Sequence, residues 1–319
     1  MRQYRAFSLT LHLTILAVFF FAQFVVPEFH HLSLTRIMVL AVFAIGYNIL
    51  FGYTGLLSLG HAMFFAAGLY GAGLLSFYFA LPVPQAFLCG VLVAFIASLF
   101  MGMIVLRTSG VSFMIVTMLF AQVAYLASLY FSSVTRGEEG LMLPAANRVF
   151  EIGAYQFDLA NADTRFNIAF GLLALTFLCS LWLAQSRLGK ALIAVRENEM
   201  RTAMLGYDVQ RLKLIAFTLS GTFCGVAGAA YALLFAYIGA SFGSIQYSIE
   251  ALLFTLLGGA GTVIGPLLGT TLMFYLIDIA SNYTSAYMLV VGVILVLLIL
   301  FFPKGIMGTI RHRWAKWLP

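Results

Sequence analysis

The sequence predicts an all-α, polytopic membrane protein of about 8–10 transmembrane or re-entrant helices, and three observations carry that reading. Hydrophobic residues fill 63% of the 319 positions and charged residues only 9%, against about 45–50% and about 25% in soluble domains. The apolar runs are long and continuous, where the strands of an outer-membrane barrel would alternate apolar and polar positions. The basic residues gather between or beyond those runs, as they do on one side of a bilayer. The net charge of +6 therefore marks a membrane face and not a nucleic-acid partner. Thirty-one Phe and the low charge content exclude a disordered chain.

A helix needs about 20 residues to cross about 30 Å of hydrocarbon. Charge-free stretches run over 7–26, 37–51, 61–81, 83–106, 111–134 and 166–185. The first has too long an apolar core for a cleavable signal, and no small-x-small site follows it, so it is expected to stay as a span. The stretch 214–249 exceeds one span and turns small and polar near 239–248. Two more, 251–277 and 279–302, follow. Cys89, Cys179 and Cys224 lie inside such runs and give no disulfide framework.

Orientation follows from Lys and Arg. The segment 186–213, the tail 303–319, the N-terminus (Arg2, Arg5) and Arg107 hold 13 of the 17 basic residues. The loop 132–164 is acidic instead, with Glu138, Glu139, Glu151, Asp158 and Asp163. With the N-terminus in the cytoplasm, six spans alternate without conflict, and the acidic loop falls outside. The whole chain, 1–319, reads as one transmembrane domain with a periplasmic loop (132–164), a cytoplasmic loop (186–213) and a cytoplasmic tail (303–319).

Parity then constrains the end of the chain. The segment between 237 and 287 must start and finish outside, yet its middle reads Gly258-Gly259-Ala260-Gly261-Thr262-Val263-Ile264-Gly265-Pro266. This predicts a helix broken at mid-depth, as a re-entrant hairpin or two short spans. Such a break must be buried in protein or line a polar cavity. A comparable interruption is Gly52-Tyr53-Thr54-Gly55, followed by Ser58-Leu59-Gly60-His61. One Gly-interrupted apolar segment in each half points to a transport pathway.

Candidate chemistry is sparse. There is no G-x-x-x-x-G-K-[ST] phosphate loop, and Gly259-Ala260-Gly261 has no strand before it to make a dinucleotide fingerprint. His12, His30, His31, His61 and His312 have no ligand spacing for a metal, and no Ser/His/Asp set assembles. The chain is expected to bind no cofactor and to catalyse nothing itself. Glu250, well inside an apolar block, reads either as a pathway or gating group or as a paired structural carboxylate. His61 beside Ser58 reads either as pathway-lining or as a helix-end hydrogen-bonding group. Asn48, Gln122 and Gln246 suit interhelical hydrogen bonds or solute contacts. The candidate path residues are Asn48, Tyr53, Ser58, His61, Gln122, Glu250, Gly259 and Gly261. The basic loop 187–213 alternates apolar and charged positions at helical spacing and reads either as a docking helix for a cytoplasmic partner or as a solvated positive-inside loop. An ion-coupled secondary transporter is the rival class. It would need buried carboxylates, of which Glu250 alone qualifies.

The motifs now reach a family. Gly52-Tyr53-Thr54-Gly55-Leu56-Leu57-Ser58-Leu59-Gly60-His61-Ala62-Met63-Phe64-Phe65 resembles the signature of branched-chain amino-acid ABC-importer permeases. Ala194-Val195-Arg196-Glu197-Asn198-Glu199 with Leu205-Gly206-Tyr207-Asp208, and Gly258-Gly259-Ala260-Gly261-Thr262 with Gly265-Pro266, resemble its other two hallmarks, in the same order. The loop at Arg196 and the long connection before it are more similar to the LivM type of subunit than to LivH. The resemblance implies an ABC importer permease fold in the bacterial inner membrane, with both termini cytoplasmic. It also implies a paralogous permease, two ATPase subunits that use the ATP, and a periplasmic solute-binding protein. The cargo it implies is leucine, isoleucine and valine, with urea, short amides or other amino acids as the alternative. It makes Arg196, Glu197, Glu199, Ala203, Leu205 and Gly206 the ATPase-coupling candidates, although only Ala203 and Gly206 fit the Glu-Ala-Ala-x-x-x-Gly pattern of the wider importer class.

Overall fold

A computed structural model describes residues 2–152 and 155–313; Lys316 and the end of the tail lie outside the described residues. Ten helices form the bundle: α1 (Arg2–Val25), α2 (Glu28–Thr54), α3 (His61–Phe79), α4 (Val83–Val105), α5 (Gly110–Tyr130), then, after the single turn α6 (Ser132–Thr135), α7 (Ala162–Gln185), α10 (Val209–Phe235), α11 (Ile245–Gly258), α12 (Gly265–Tyr283) and α13 (Tyr287–Phe301). Between α7 and α10 stand the short α8 (Arg187–Glu197) and α9 (Glu199–Met204), and α14 (Gly305–Arg313) follows α13. Six of the described helices, α2, α3, α4, α5, α7 and α10, are long and apolar enough to cross a bilayer.

The fold is all-α but for two small ribbons that the sequence did not predict. Strand β1 (Leu141–Met142) pairs antiparallel with β4 (Tyr237–Ile238), and β2 (Val149–Ile152) with β3 (Tyr155–Asp158). All four lie at one end of the bundle, the ribbon end. The α8–α9 loop and α14 lie at the other, the basic end.

A helix that is apolar all round belongs inside, and α2 is that helix. Ile37, Met38, Phe43, Ile45, Tyr47, Ile49 and Leu50 are wholly buried, with α7, α10, α11 and α12 packed around them. It starts at Glu28, nine residues before the charge-free run at 37. Arg36 is carried inside the helix because its guanidinium lies over the Phe235 ring, 5.6 Å from the centroid, a cation–π contact. Helices α4 and α5 sit at the rim, and Val111, Ile115, Leu119, Val123, Leu126 and Tyr130 of α5 form an exposed apolar stripe.

Two helices begin inside the bundle and not at an end. Helix α2 closes on Gly55 in the left-handed conformation, and residues 55–60 then climb back beside it. His61 starts α3 level with Ser220, eleven residues into α10, and with Thr117, seven residues into α5. From the ribbon end, 236–244 descends along α3. Ile238 lies level with Gly73, Gly243 level with Ala66 and, in the first turn of α11, Ser248 level with Ala62. The Ala62 amide donates to Ser248 Oγ at 2.8 Å, so the two helix starts meet.

The expected break at 258–266 separates α11 from α12, which pack antiparallel. Its depth differs from the expectation. It lies beside Asn48 and Gly52, near the C-terminal end of α2, and two basic-end arginines reach it. The segment is therefore two helices, one of the two expected forms, with the break between them at the basic end and not at mid-depth. At about 1.5 Å per residue the 14 residues of α11 extend only about 21 Å, and the descending stretch 236–244 supplies the remaining depth.

Candidate functional site

Three pieces of chain meet at the basic end: the close of α2, the turn 259–264 and the loop carrying α8 and α9. Asn48 ties the first two together. Its Nδ2 donates to the Thr262 carbonyl at 2.9 Å, and its Oδ1 accepts the Gly261 amide at 2.8 Å. One side-chain amide thus satisfies a donor and an acceptor that the broken helix leaves open, as buried backbone requires. Gly52 makes the approach possible: a Cβ there would stand 2.0 Å from Asn48 Oδ1 and 2.6 Å from the Gly261 nitrogen. Gly261 has φ +79°, and a Cβ on it would meet Arg196 Nη1 at 2.8 Å.

The loop joins through Arg196, whose Nη1 donates to the Gly52 carbonyl at 2.6 Å. Serial capping holds the loop in shape. Ser186 accepts from the Gly189 amide, Asn198 from Arg201 and Asp208 from Arg211, each closing orphan amides at a helix start. Ala191, Leu192, Val195 and Thr202 face the bundle. Glu199 pairs with the buried Lys213 of α10 at 2.6 Å. Met200, Met204 and Leu205 are 72–78% exposed and make an apolar ridge pointing away from the protein. Glu197 and Ala203 are exposed beside it, and Gly206, at φ +87°, turns the chain toward α10.

Higher in the bundle, His61 is fully buried and both its ring nitrogens are engaged. Ser220 Oγ donates to the Gly46 carbonyl at 2.6 Å, so its hydroxyl proton is used and His61 Nε2 must donate to it. Ser58 Oγ accepts from the Gly60 amide and donates to His61 Nδ1 at 3.0 Å. Tyr47 Oη donates to the Ser58 carbonyl at 2.8 Å. Asn48, Ser58 and His61 are thus occupied in holding α2, α3, α10 and the turn 259–264 together, and Tyr53 is buried with them. Of the two readings of His61, the geometry supports the helix-end group.

Glu250 differs. It is half-buried on α11, one turn beyond exposed Gln246, and no ion pair involves it among the described residues. Gln122 on α5 is half-buried too. Sequence reasoning missed Ser220, Ser248 and Thr262 as bonding partners. The available signal was a lone hydroxyl within an apolar helix or turn, which is common and seldom decisive. Arg311 was counted only as a topological charge, yet its Nη1 donates to the Gly261 carbonyl at 3.1 Å.

Apolar helices twice interrupted, with both interruptions held by buried polar side chains and one gripped by an exposed loop, define a multi-pass membrane permease. Residues 31–301 match the family described as branched-chain amino acid transport system / permease component, and the chain belongs to it. It is similar to the high-affinity branched-chain amino acid transport system permease protein LivM of Escherichia coli K12, 27% identical over 297 residues, covering 88% of this chain and 70% of the relative. It is also similar to LivH of Salmonella typhimurium LT2, 23% identical with 84% and 91% covered. A probable LivH of Methanocaldococcus jannaschii is 25% identical with 74% and 76% covered. No solved structure matches the chain.

Proposed function

We propose that the chain is the LivM-type half of an ATP-driven importer for branched-chain amino acids, pairing with a paralogous permease to enclose the path. The carrying observation is the bond from Arg196 to Gly52: it links the exposed Met200–Met204–Leu205 ridge to the joint between α2 and the turn 259–264. In this reading the ridge seats on one of two cytoplasmic ATPases, which bind and hydrolyse the ATP. A displacement of α8 then pulls on the close of α2 and, through Asn48, on α11 and α12. A periplasmic binding protein delivers solute to the ribbon end, in the bacterial inner membrane, with both termini in the cytoplasm.

The chain's own part is positioning. Gln122 and Glu250 are two path candidates whose polar groups no hydrogen bond engages among the described residues. A carboxylate there would attract the ammonium group of an amino acid. Urea and short amides lack that cation, so an importer for them would gain little from Glu250. The unpaired carboxylate also favours a second reading, an ion-coupled secondary transporter. Uptake of a panel of amino acids and urea into vesicles holding the chain, with and without the partner subunits, tests all three. ATP-dependent uptake of leucine, isoleucine and valine only in the full complex is expected. Accumulation by the chain alone on a proton or sodium gradient would replace this reading with the second.

A further inference from the structure

The basic end contains a cavity of about 580 Å³ between the close of α2, the turn 259–264 and α14. Arg196, Lys304, Arg311 and His312 line it, and no Asp or Glu does. Arg196 Nη1 donates to the Gly52 carbonyl and stands 2.8 Å from where a Cβ on Gly261 would lie, while Arg311 Nη1 donates to the Gly261 carbonyl. None of Arg196, Lys304 or Arg311 has an ion-pair partner among the described residues. Burial, together with the Arg196 charge, lowers Arg311 from the ordinary arginine value. Like charges held near one another with no carboxylate between them repel, and a fold that fixes two guanidinium groups on neighbouring carbonyls, Gly52 and Gly261, in one cavity has built a place for an anion.

The surroundings say which anion. Leu300, Phe301 and Phe302, exposed at the end of α13, lead directly into Pro303 and Lys304 on the cavity wall. A soluble ion makes no use of such a wall, whereas a phospholipid uses both parts. We infer that this cavity binds the phosphate of an anionic phospholipid headgroup, with Lys304 and Arg311 as its principal contacts and the acyl chains lying along α13. Basic pockets between helix ends are suited to anionic headgroups in this way. The inference needs only the membrane location and does not depend on the ATP-driven reading.

The test counts bound lipid by native mass spectrometry of the purified full-length chain, in micelles holding equal amounts of phosphatidylglycerol and phosphatidylcholine. The wild type is expected to retain one phosphatidylglycerol at least tenfold over phosphatidylcholine, and Lys304→Gln and Arg311→Gln to lose most of that preference. Arg311→Lys, which keeps the charge and gives up the fork geometry, should hold most of it. Lys304 is exposed, so K304Q carries the test if R311Q does not fold. Equal retention of the two lipids by the wild type would overturn the proposal. So would an equal rise in unfolding temperature from inorganic phosphate in phosphatidylcholine micelles, which would make the anion a soluble one. Unchanged preference for phosphatidylglycerol in both Gln variants would also overturn it, because the preference would then arise elsewhere on the chain.

Discussion

Asn48 and Gly261 are 213 positions apart in the chain and joined by one hydrogen bond of 2.8 Å, with a second from the same side chain to Thr262. The pair fixes where the turn 259–264 sits against α2. Asn48→Leu would keep the volume and remove both bonds, leaving a buried amide and a buried carbonyl unpaired. Each such group costs about 1–3 kcal/mol, so a drop of about 2–6 kcal/mol is expected in the stability of the solubilised protein. Urea unfolding followed by Trp fluorescence measures it. A change under about 1 kcal/mol would mean the turn finds other partners.

Glycine at 52 is required by contact, not by backbone conformation. Gly52→Ala sets a methyl group 2.0 Å from Asn48 Oδ1 and must move the turn. Loss of uptake and a lowered unfolding temperature are expected. Gly171→Ala is the control, since nothing lies within 4 Å of its Cβ position and alanine is the better helix former. Its uptake and unfolding temperature should match the wild type or rise slightly.

The ridge on the α8–α9 loop makes a spatial prediction. A short cross-linker on Met204→Cys, 78% exposed before substitution, should trap an ATPase subunit in the assembled complex. The same reagent on Glu138→Cys, beyond α5 at the ribbon end, should not. Trapping from Glu138 in place of Met204 would invert the assignment of the two ends.

Orientation itself is open to labelling. Ser281, near the close of α12, should react as cysteine with a membrane-impermeant maleimide in intact cells. Thr309→Cys, on α14, should react only after permeabilisation. Reaction of Thr309→Cys in intact cells would put the tail outside, against the charge bias that sets orientation.

The spans were legible because hydrocarbon demands about 20 apolar residues from each, and both interruptions were legible because glycine clusters are rare in such runs. Other features depend on contacts that a linear pattern does not encode. Arg36 ended the apolar run at 37, although the Phe235 ring lets the helix extend to Glu28. The depth of 259–264 is set by Asn48, Arg196 and Arg311 reaching in from three other elements. Strands of two to four residues carry too few positions to show alternation, so both ribbons escaped notice. Ser58 beside His61 suggested a polar pair, but the Ser220 that completes it comes from 159 positions away.

The bond from Ala62 to Ser248 joins two helices that start halfway through the bundle from opposite ends. A non-helical stretch, 55–60, leads to that junction from the basic end, and a short strand followed by a single 3-10 turn, within 236–244, leads to it from the ribbon end. The continuous helices elsewhere in the bundle present a wall as thick as they are long. Along this one line the span from one end of the bundle to the other is divided between two helices and their short approaches, which meet at a backbone-to-side-chain bond. Shifting α3 against α11 by about one helical rise of 1.5 Å is enough to exchange this hydrogen bond for a neighbouring one. A junction of that kind has few bonds to exchange when the two helix starts shift against one another.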